Sequence, residues 1–316
     1  MTVRSQNESG SEKRSPVQLV RYEELIPCYN AFIDTRTPGS DQKENFTIIG
    51  PGVSENPDQH VHIAEPHGFN IGAARQPPGC VNSQHSHETE EVFFVHKGTW
   101  SFDLGEHGDD ARITLKPGDL ISIPTHVFRG FENIGDDMGF LWAVLGRDDP
   151  GHVLWAPEVF KMAEKYGLVL LEDGSLIDTN EGDVVPANKK PMPVTTGEQV
   201  AELKTFDEAQ LRACCTFSEQ SVSRNRKLIA EDGELNWPHG FEVIQTRLGE
   251  QESIDSYAFE GSEVLFVHDG ELTIETAGEE TIVRAGDTAT ITPGSTRSFA
   301  NKSSGDVVFL VVRGKL

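Results

Sequence analysis

From about Val17 the chain alternates short apolar runs with turns rich in Gly, Pro and Asp, which is the pattern of an all-β protein. Two of these runs nearly repeat: EVFFVHKG at 91–98 and EVLFVHDG at 263–270. Each is followed by a charged turn with Gly-Asp and a further strand, KPGDLISIP at 116–124 and RAGDTATITPG at 284–294. Each then reaches an Arg, an aromatic and an Asn: Arg129, Phe131 and Asn133, then Arg297, Phe299 and Asn301. The apolar strands FLWAVLG at 140–146 and VVFLVV at 307–312 close the two series. The chain therefore carries two copies of one β unit.

Between the copies the periodicity changes. Residues 157–166 place Val159, Phe160, Ala163 and Tyr166 on one helical face, with Pro157 suited to the first turn and Gly167 to the stop. LVLLEDGSLID at 168–178 reads as a hairpin about Asp173-Gly174, and residues 179–197 read as a linker. Thr196 with Gln199, and Thr205 with Glu208, have capping-box spacing and predict short helices. The resulting division is a polar, disordered N-terminus over 1–16, a first barrel over 17–155, a linker with short helices and a hairpin over 156–210, and a second barrel over 211–316.

A chain of 316 residues has room for two ordinary domains. Its 27 Lys+Arg against 51 Asp+Glu give a formal charge of −24, which argues against nucleic acid or an anionic membrane as partner. Cys28, Cys80, Cys214 and Cys215 show no metal-site spacing and are expected as reduced thiols. The polar start lacks the pattern of a signal segment and no apolar run approaches ~18 residues, so a soluble, cytoplasmic protein is expected.

The chemistry concentrates in GCVNSQHSHETEEVFFVHKG at 79–98. His85 and His87 project from one face of an extended strand, and Glu91 opens the next strand. Two imidazoles and a carboxylate form a mixed N/O donor set suited to a divalent transition metal: Fe(II), Mn, Ni, Cu or Zn. Glu88 and Glu90 fit the polar loop between them.

These residues resemble the cupin superfamily. Gly79, His85, His87, Glu91 and Gly98 fit its first motif without a gap, and Gly118, Pro124 and Asn133 fit its second. Two positions depart: His126 stands where the turn glycine is expected, and Arg129 where a fourth metal-binding histidine is expected. In the second copy Tyr257 and Phe259 occupy the places of the His pair, while Gly286, Gly294 and Asn301 fit and Arg297 again replaces the histidine. The resemblance implies a bicupin, two jelly-roll (double-stranded β-helix) barrels, of which only the first is equipped for metal.

On that resemblance His85, His87 and Glu91 hold the metal, and His126 is a candidate fourth ligand if its turn is remodelled. Arg129, always protonated, cannot ligate. It would anchor a substrate anion bidentately or pair with a structural carboxylate. Phe93, Val95, Phe131 and Trp142 are expected to line the barrel, and His60, His62 and His67 to form a cavity wall. His96 and His268, of opposite parity to the ligand glutamate and its counterpart, are expected to face outward.

The first functional expectation is an Fe(II) dioxygenase, similar to the quercetinase and gentisate types, taking a small aromatic or oxo-acid substrate and O2. The alternatives are a metal-dependent isomerase, decarboxylase or lyase, and a non-enzymatic binding or storage-like bicupin. Homodimerisation through the sheets is compatible with all three.

Overall fold

Strand parity sorts the side chains of this protein into three apolar layers. The computed structural model describes residues 15–220 and 224–314. The segment expected to be disordered lies outside the described residues except for Ser15 and Pro16. Each copy of the repeat folds into a barrel of two facing sheets, seven- and five-stranded in the first and six- and four-stranded in the second. Among the described strands pairing is antiparallel except between Glu44–Ile49 and Val61–Ile63. The all-β, two-barrel architecture is the one read from the repeat.

On the strand Glu91–Lys97, Phe93 and Val95 point into the first barrel, where they meet Trp100, Phe102, Phe131 and Leu141. Leu265, Val267, Phe299 and Phe309 fill the second barrel in the same way. The alternate residues, Val92 and Phe94, point outward but not to water: with Phe140, Trp142, Val264, Phe266 and Leu310 they form a third core between the barrels. Trp142 therefore does not line the first barrel. Its neighbours Leu141 and Ala143 face inward, and Trp142 stacks on Phe266 at 4.8 Å and donates to Thr288 Oγ1 at 3.1 Å. His96 and His268 do face outward from their own barrels, and so meet each other, Nδ1 to Nδ1 at 3.2 Å.

The barrels also exchange edge strands. Val17–Val20, assigned by chain order to the first barrel, pairs with Thr288–Ile291 of the second. Cys215–Thr216, assigned to the second copy, pairs with Leu120–Ile123 of the first. Each exchange satisfies an exposed sheet edge with main-chain hydrogen bonds.

Residues 156–210 pack on the first barrel. The helix Pro157–Lys165, with proline in its first turn, buries Val159 and Ala163 against Ile33, Phe128, Val153 and Trp155. The hairpin pairs Leu168–Leu170 with Leu176–Asp178. The Thr196–Gln199 capping box opens Gly197–Glu202. The second box is not Thr205 with Glu208: Asp207 caps Glu208–Ala213, reciprocally with Gln210 at 2.8 and 3.0 Å, its carboxylate favoured at the positive helix end. Among the described residues no helix is long and apolar enough to cross a membrane.

Candidate metal centre

Val81–His87 and Glu91–Lys97 belong to opposite sheets of the first barrel, and the short loop between them crosses its rim. Register with Arg129 on one side and Trp155 on the other holds His85 in place. His85, His87 and Glu91 are all buried, and one donor atom from each lies within 4.8 Å of the others. The two imidazoles stand perpendicular at 5.1 Å between ring centres.

The hydrogen bonds prepare these donors. His85 Nδ1 lies 2.7 Å from the Ser83 carbonyl, which can only accept, so Nδ1 carries the proton and Nε2 keeps its lone pair. The Ser83 amide is in turn fixed by Asp34 Oδ2 at 3.0 Å, and Asp34 forms a wholly buried pair with Lys43. His87 Nε2 lies 3.3 Å from Glu91 Oε1, while its Nδ1 is buried without a partner. Burial, with Arg129 and His87 nearby, pushes His85 down to about 3, and burial lowers His87 as well. Burial by itself would raise the Glu91 carboxyl, but His87 and Arg129 outweigh it and hold it well below the usual range. Neutral imidazoles and an ionised carboxylate are the protonation states that a divalent cation requires. The residues present therefore fit a transition metal.

Arg129 pairs with this carboxylate. It is fully buried, donates from Nε and Nη2 to Glu91 Oε2 at 3.1 and 2.7 Å, and from Nη1 to the Val127 carbonyl at 3.2 Å. It is not among the residues that line the cavity; a buried guanidinium needs a counter-charge, and here Glu91 is that charge, the second of the two roles expected of it. His126, the candidate fourth ligand, is not grouped with the three donors. It is exposed at φ 63°, the left-handed conformation its motif assigns to glycine, and stands outside the triad. His60 and His62 pack ring against ring at 4.5 Å and His67 reaches Thr290 Oγ1 at 2.7 Å; none of the three lines the cavity.

The cavity beside the triad is narrow and partly open to solvent. Its walls are mainly apolar, with Phe32, Phe46, Phe93, Phe131, Leu145 and Trp155 prominent, and among the described residues no Lys or Arg lines it. Residues 28–59, which supply much of one wall, were not singled out in the sequence, since no repeat or motif marks them. Trp155 was equally unmarked. Its ring lies 5.2 Å from that of His85, and its Nε1 donates to Glu55 Oε1 at 2.6 Å. Glu55 also accepts from the Ile33 amide at 2.6 Å, and burial pushes its carboxyl up to about 8.

The second barrel fills the matching place differently. Tyr257 stands opposite Arg297 as His85 does opposite Arg129, and Arg313 stands opposite Glu263 as Leu145 does opposite Glu91. Arg313 Nε donates to Glu263 Oε2 at 2.7 Å, Tyr257 Oη lies 3.1 Å from both carboxylate oxygens, and Arg297 Nε is 3.1 Å from Oε1.

Two stretches of the chain, residues 73–144 and 247–313, match the family described as Cupin domain, one stretch in each barrel. The chain is a bicupin of the cupin superfamily. Over 76 residues this bicupin is 36% identical to acireductone dioxygenase of Phaeosphaeria nodorum, covering 23% of the chain and 41% of that protein. Over 78 residues it is 36% identical to acireductone dioxygenase 1 of Coprinopsis cinerea, 24% of the chain and 41% of that protein. The bicupin thus spans about two-fifths of the length of the curated relatives it matches. Among solved structures, the formate complex of oxalate decarboxylase from Lactobacillus farciminis superposes with a TM-score of 0.57 at 10% identity, over 94% of this chain and 86% of that one. Vicilin from Capsicum annuum superposes with a TM-score of 0.57 at 14% identity, over 95% and 86%. At such identities these two likenesses carry the fold alone.

Proposed function

We propose that this bicupin is a metal-dependent oxidoreductase: its first barrel holds a divalent transition metal, Fe(II), through His85, His87 and Glu91, and oxygenates a small uncharged aromatic or dicarbonyl substrate with O2. The observation that carries this reading is the buried two-His, one-carboxylate triad opening on an apolar cavity without a lining cation. The metal, when bound, supplies Lewis acidity and a template on which substrate oxygens and O2 are brought together. The partial likeness to acireductone dioxygenases supports the same choice.

The chain's own residues have separate tasks. His85 and His87 bind as neutral imidazoles, the former aimed by the Ser83 carbonyl. Arg129 holds one oxygen of Glu91 and leaves the other toward the triad, so it is a positioning residue. Phe93, Phe131 and Trp155 exclude water from the reacting face. None of the described lining residues is a Lys or Arg, so a carboxylate substrate, as a decarboxylase would require, would have to be met by the metal itself.

The test is elemental analysis of protein purified without added metal, beside the His85→Ala variant, followed by oxygen uptake with neutral diketones, phenols and oxalate. The expected result is iron in the wild type, none in the variant, and uptake with diketones or phenols only. Equal absence of metal in both proteins ends the enzymatic reading. Turnover undiminished without oxygen replaces it with an isomerase or lyase.

A further inference from the structure

Most polar side chains along the cavity are already engaged. Thr47 pairs with Gln59, Gln59 Nε2 donates to the Pro51 carbonyl at 2.7 Å, Ser54 Oγ donates to the Ala31 carbonyl at 3.3 Å, and Asn82 Oδ1 accepts from Gln76 at 2.7 Å. Asn45 differs. It lines the cavity, is only 9% exposed, and its Nδ2 is buried with no hydrogen-bond partner. A buried amide left without a partner is unfavourable, and a ligand atom that accepts from it would relieve that cost.

Strand register locates this donor relative to the triad. Asn45 stands beside Ala74, which stands beside Leu141 and then Val95, forming one inward row across four strands. Glu91 and Leu145 belong to a row four residues further along. Four residues of strand correspond to about 13 Å, and the donor also lies three strands across the sheet from Glu91. Between the two rows the wall is built from Thr47, Gly72, Ala143 and Phe93, three of which are small.

We infer that Asn45 is a specificity-determining residue that donates from Nδ2 to a neutral oxygen acceptor at the far end of the substrate. The substrate class is then an elongated uncharged molecule. It has paired oxygens at the triad end, an apolar middle against Phe93 and the small residues, and a carbonyl, ether or hydroxyl oxygen at the Asn45 end. Among the described residues no Lys or Arg lines the cavity at that end, so that oxygen is uncharged. This inference rests on the proposed substrate cavity of the first barrel and adds which end of the molecule is selected and by what group.

Two probes test it, 1-(biphenyl-4-yl)-1,3-butanedione and its 4′-acetyl derivative, which adds an acceptor at the far end about 13 Å from the dione oxygens. Binding is read by calorimetry for the wild type, Asn45→Leu and Asn45→Asp, each with metal and after chelation, with thermal melts to show that all are folded. The wild type is expected to prefer the acetyl derivative about tenfold, and Asn45→Leu to bind both probes alike at the affinity of the unsubstituted one. Asn45→Asp, which puts a carboxylate where the donor was, should reverse the preference. Retention of the wild-type preference by Asn45→Leu, equal binding of the two probes by the wild type, or no binding of either overturns the inference. If the metal reading alone is wrong, chelation leaves every affinity unchanged while the Asn45-dependent preference persists, so the two failures are distinct.

Discussion

The two barrels of this bicupin share a strand plan and a buried Arg–Glu pair, Arg129 with Glu91 and Arg297 with Glu263, yet among the described residues only the first groups two histidines with its glutamate. The difference lies in three neighbours of the glutamate. In the first barrel these are His85, His87 and Leu145; in the second, Tyr257, Phe259 and Arg313. Arg313 places a guanidinium against Glu263 where Leu145 leaves space beside Glu91. A fixed organic cation in one barrel thus takes the place that a metal would have in the other. The Arg–Glu pair common to both belongs to the barrel, and the chemistry is decided by what surrounds it.

The sharpest way to break the comparison is to exchange those neighbours. Leu145→Arg should reproduce the Arg313 contact on Glu91 and abolish metal binding, from about one ion per chain to none by elemental analysis. The reciprocal triple variant Tyr257→His, Phe259→His, Arg313→Leu should add a second equivalent. If Leu145→Arg binds metal normally, the reading of Arg313 as a substitute cation is wrong.

Next in size is the shared pair itself. Arg129→Leu leaves Glu91 buried without its counter-ion and should cost about 3–5 kcal/mol in denaturant unfolding of the chelated protein, and less when metal is bound. Arg297→Leu should cost well under half as much, because Arg313 and Tyr257 still hold Glu263. Equal losses would show that the two carboxylates are not differently supported.

Chelation should lower unfolding stability by about 2.7 kcal/mol relative to protein in free metal at a hundredfold excess over Kd. His85→Ala should remove this difference and Tyr257→Ala should leave it intact, as read by thermal melts at two metal concentrations.

The smallest effect concerns the seam between the barrels. Burial, followed by the neighbouring His268, pushes His96 down to about 3 from an ordinary 6.5. The unfolded chain therefore takes up a proton near pH 6.5 that the folded protein refuses, so stability is full above that pH and is lost as pH falls toward 3. His85 acts with the same sign. Replacing both His96 and His268 by Phe, among Phe94, Phe140 and Phe266, should reduce the loss between pH 6.5 and 5.5 by on the order of 1 kcal/mol. An unaltered slope would remove the seam from the acid response.

Much of this was legible in the chain because local rules carried it. The near-repeat at 91–98 and 263–270 announced two barrels, and the spacing of His85, His87 and Glu91 announced donors on one face. Alternation also predicted that His96 points away from its barrel. What alternation cannot say is what lies beyond that face. Trp142, expected to line the first barrel, sits instead in the core between the barrels. Arg129 illustrates a second limit: a motif position shows that the residue reaches the site, while only the packed structure shows that Glu91 has already engaged it.

The sequence by itself determined strand periodicity, the duplication and the donor set, because each is a property of residues close together along the chain. Tertiary structure alone decided the exchange of Val17–Val20 and Cys215–Thr216, the cavity wall from residues 28–59, the unpaired amide of Asn45 and the engagement of Arg129. Those outcomes depend on which distant groups arrive together in a space without water. There, each charge and each hydrogen-bonding atom must find its partner in the fold or be left for a ligand.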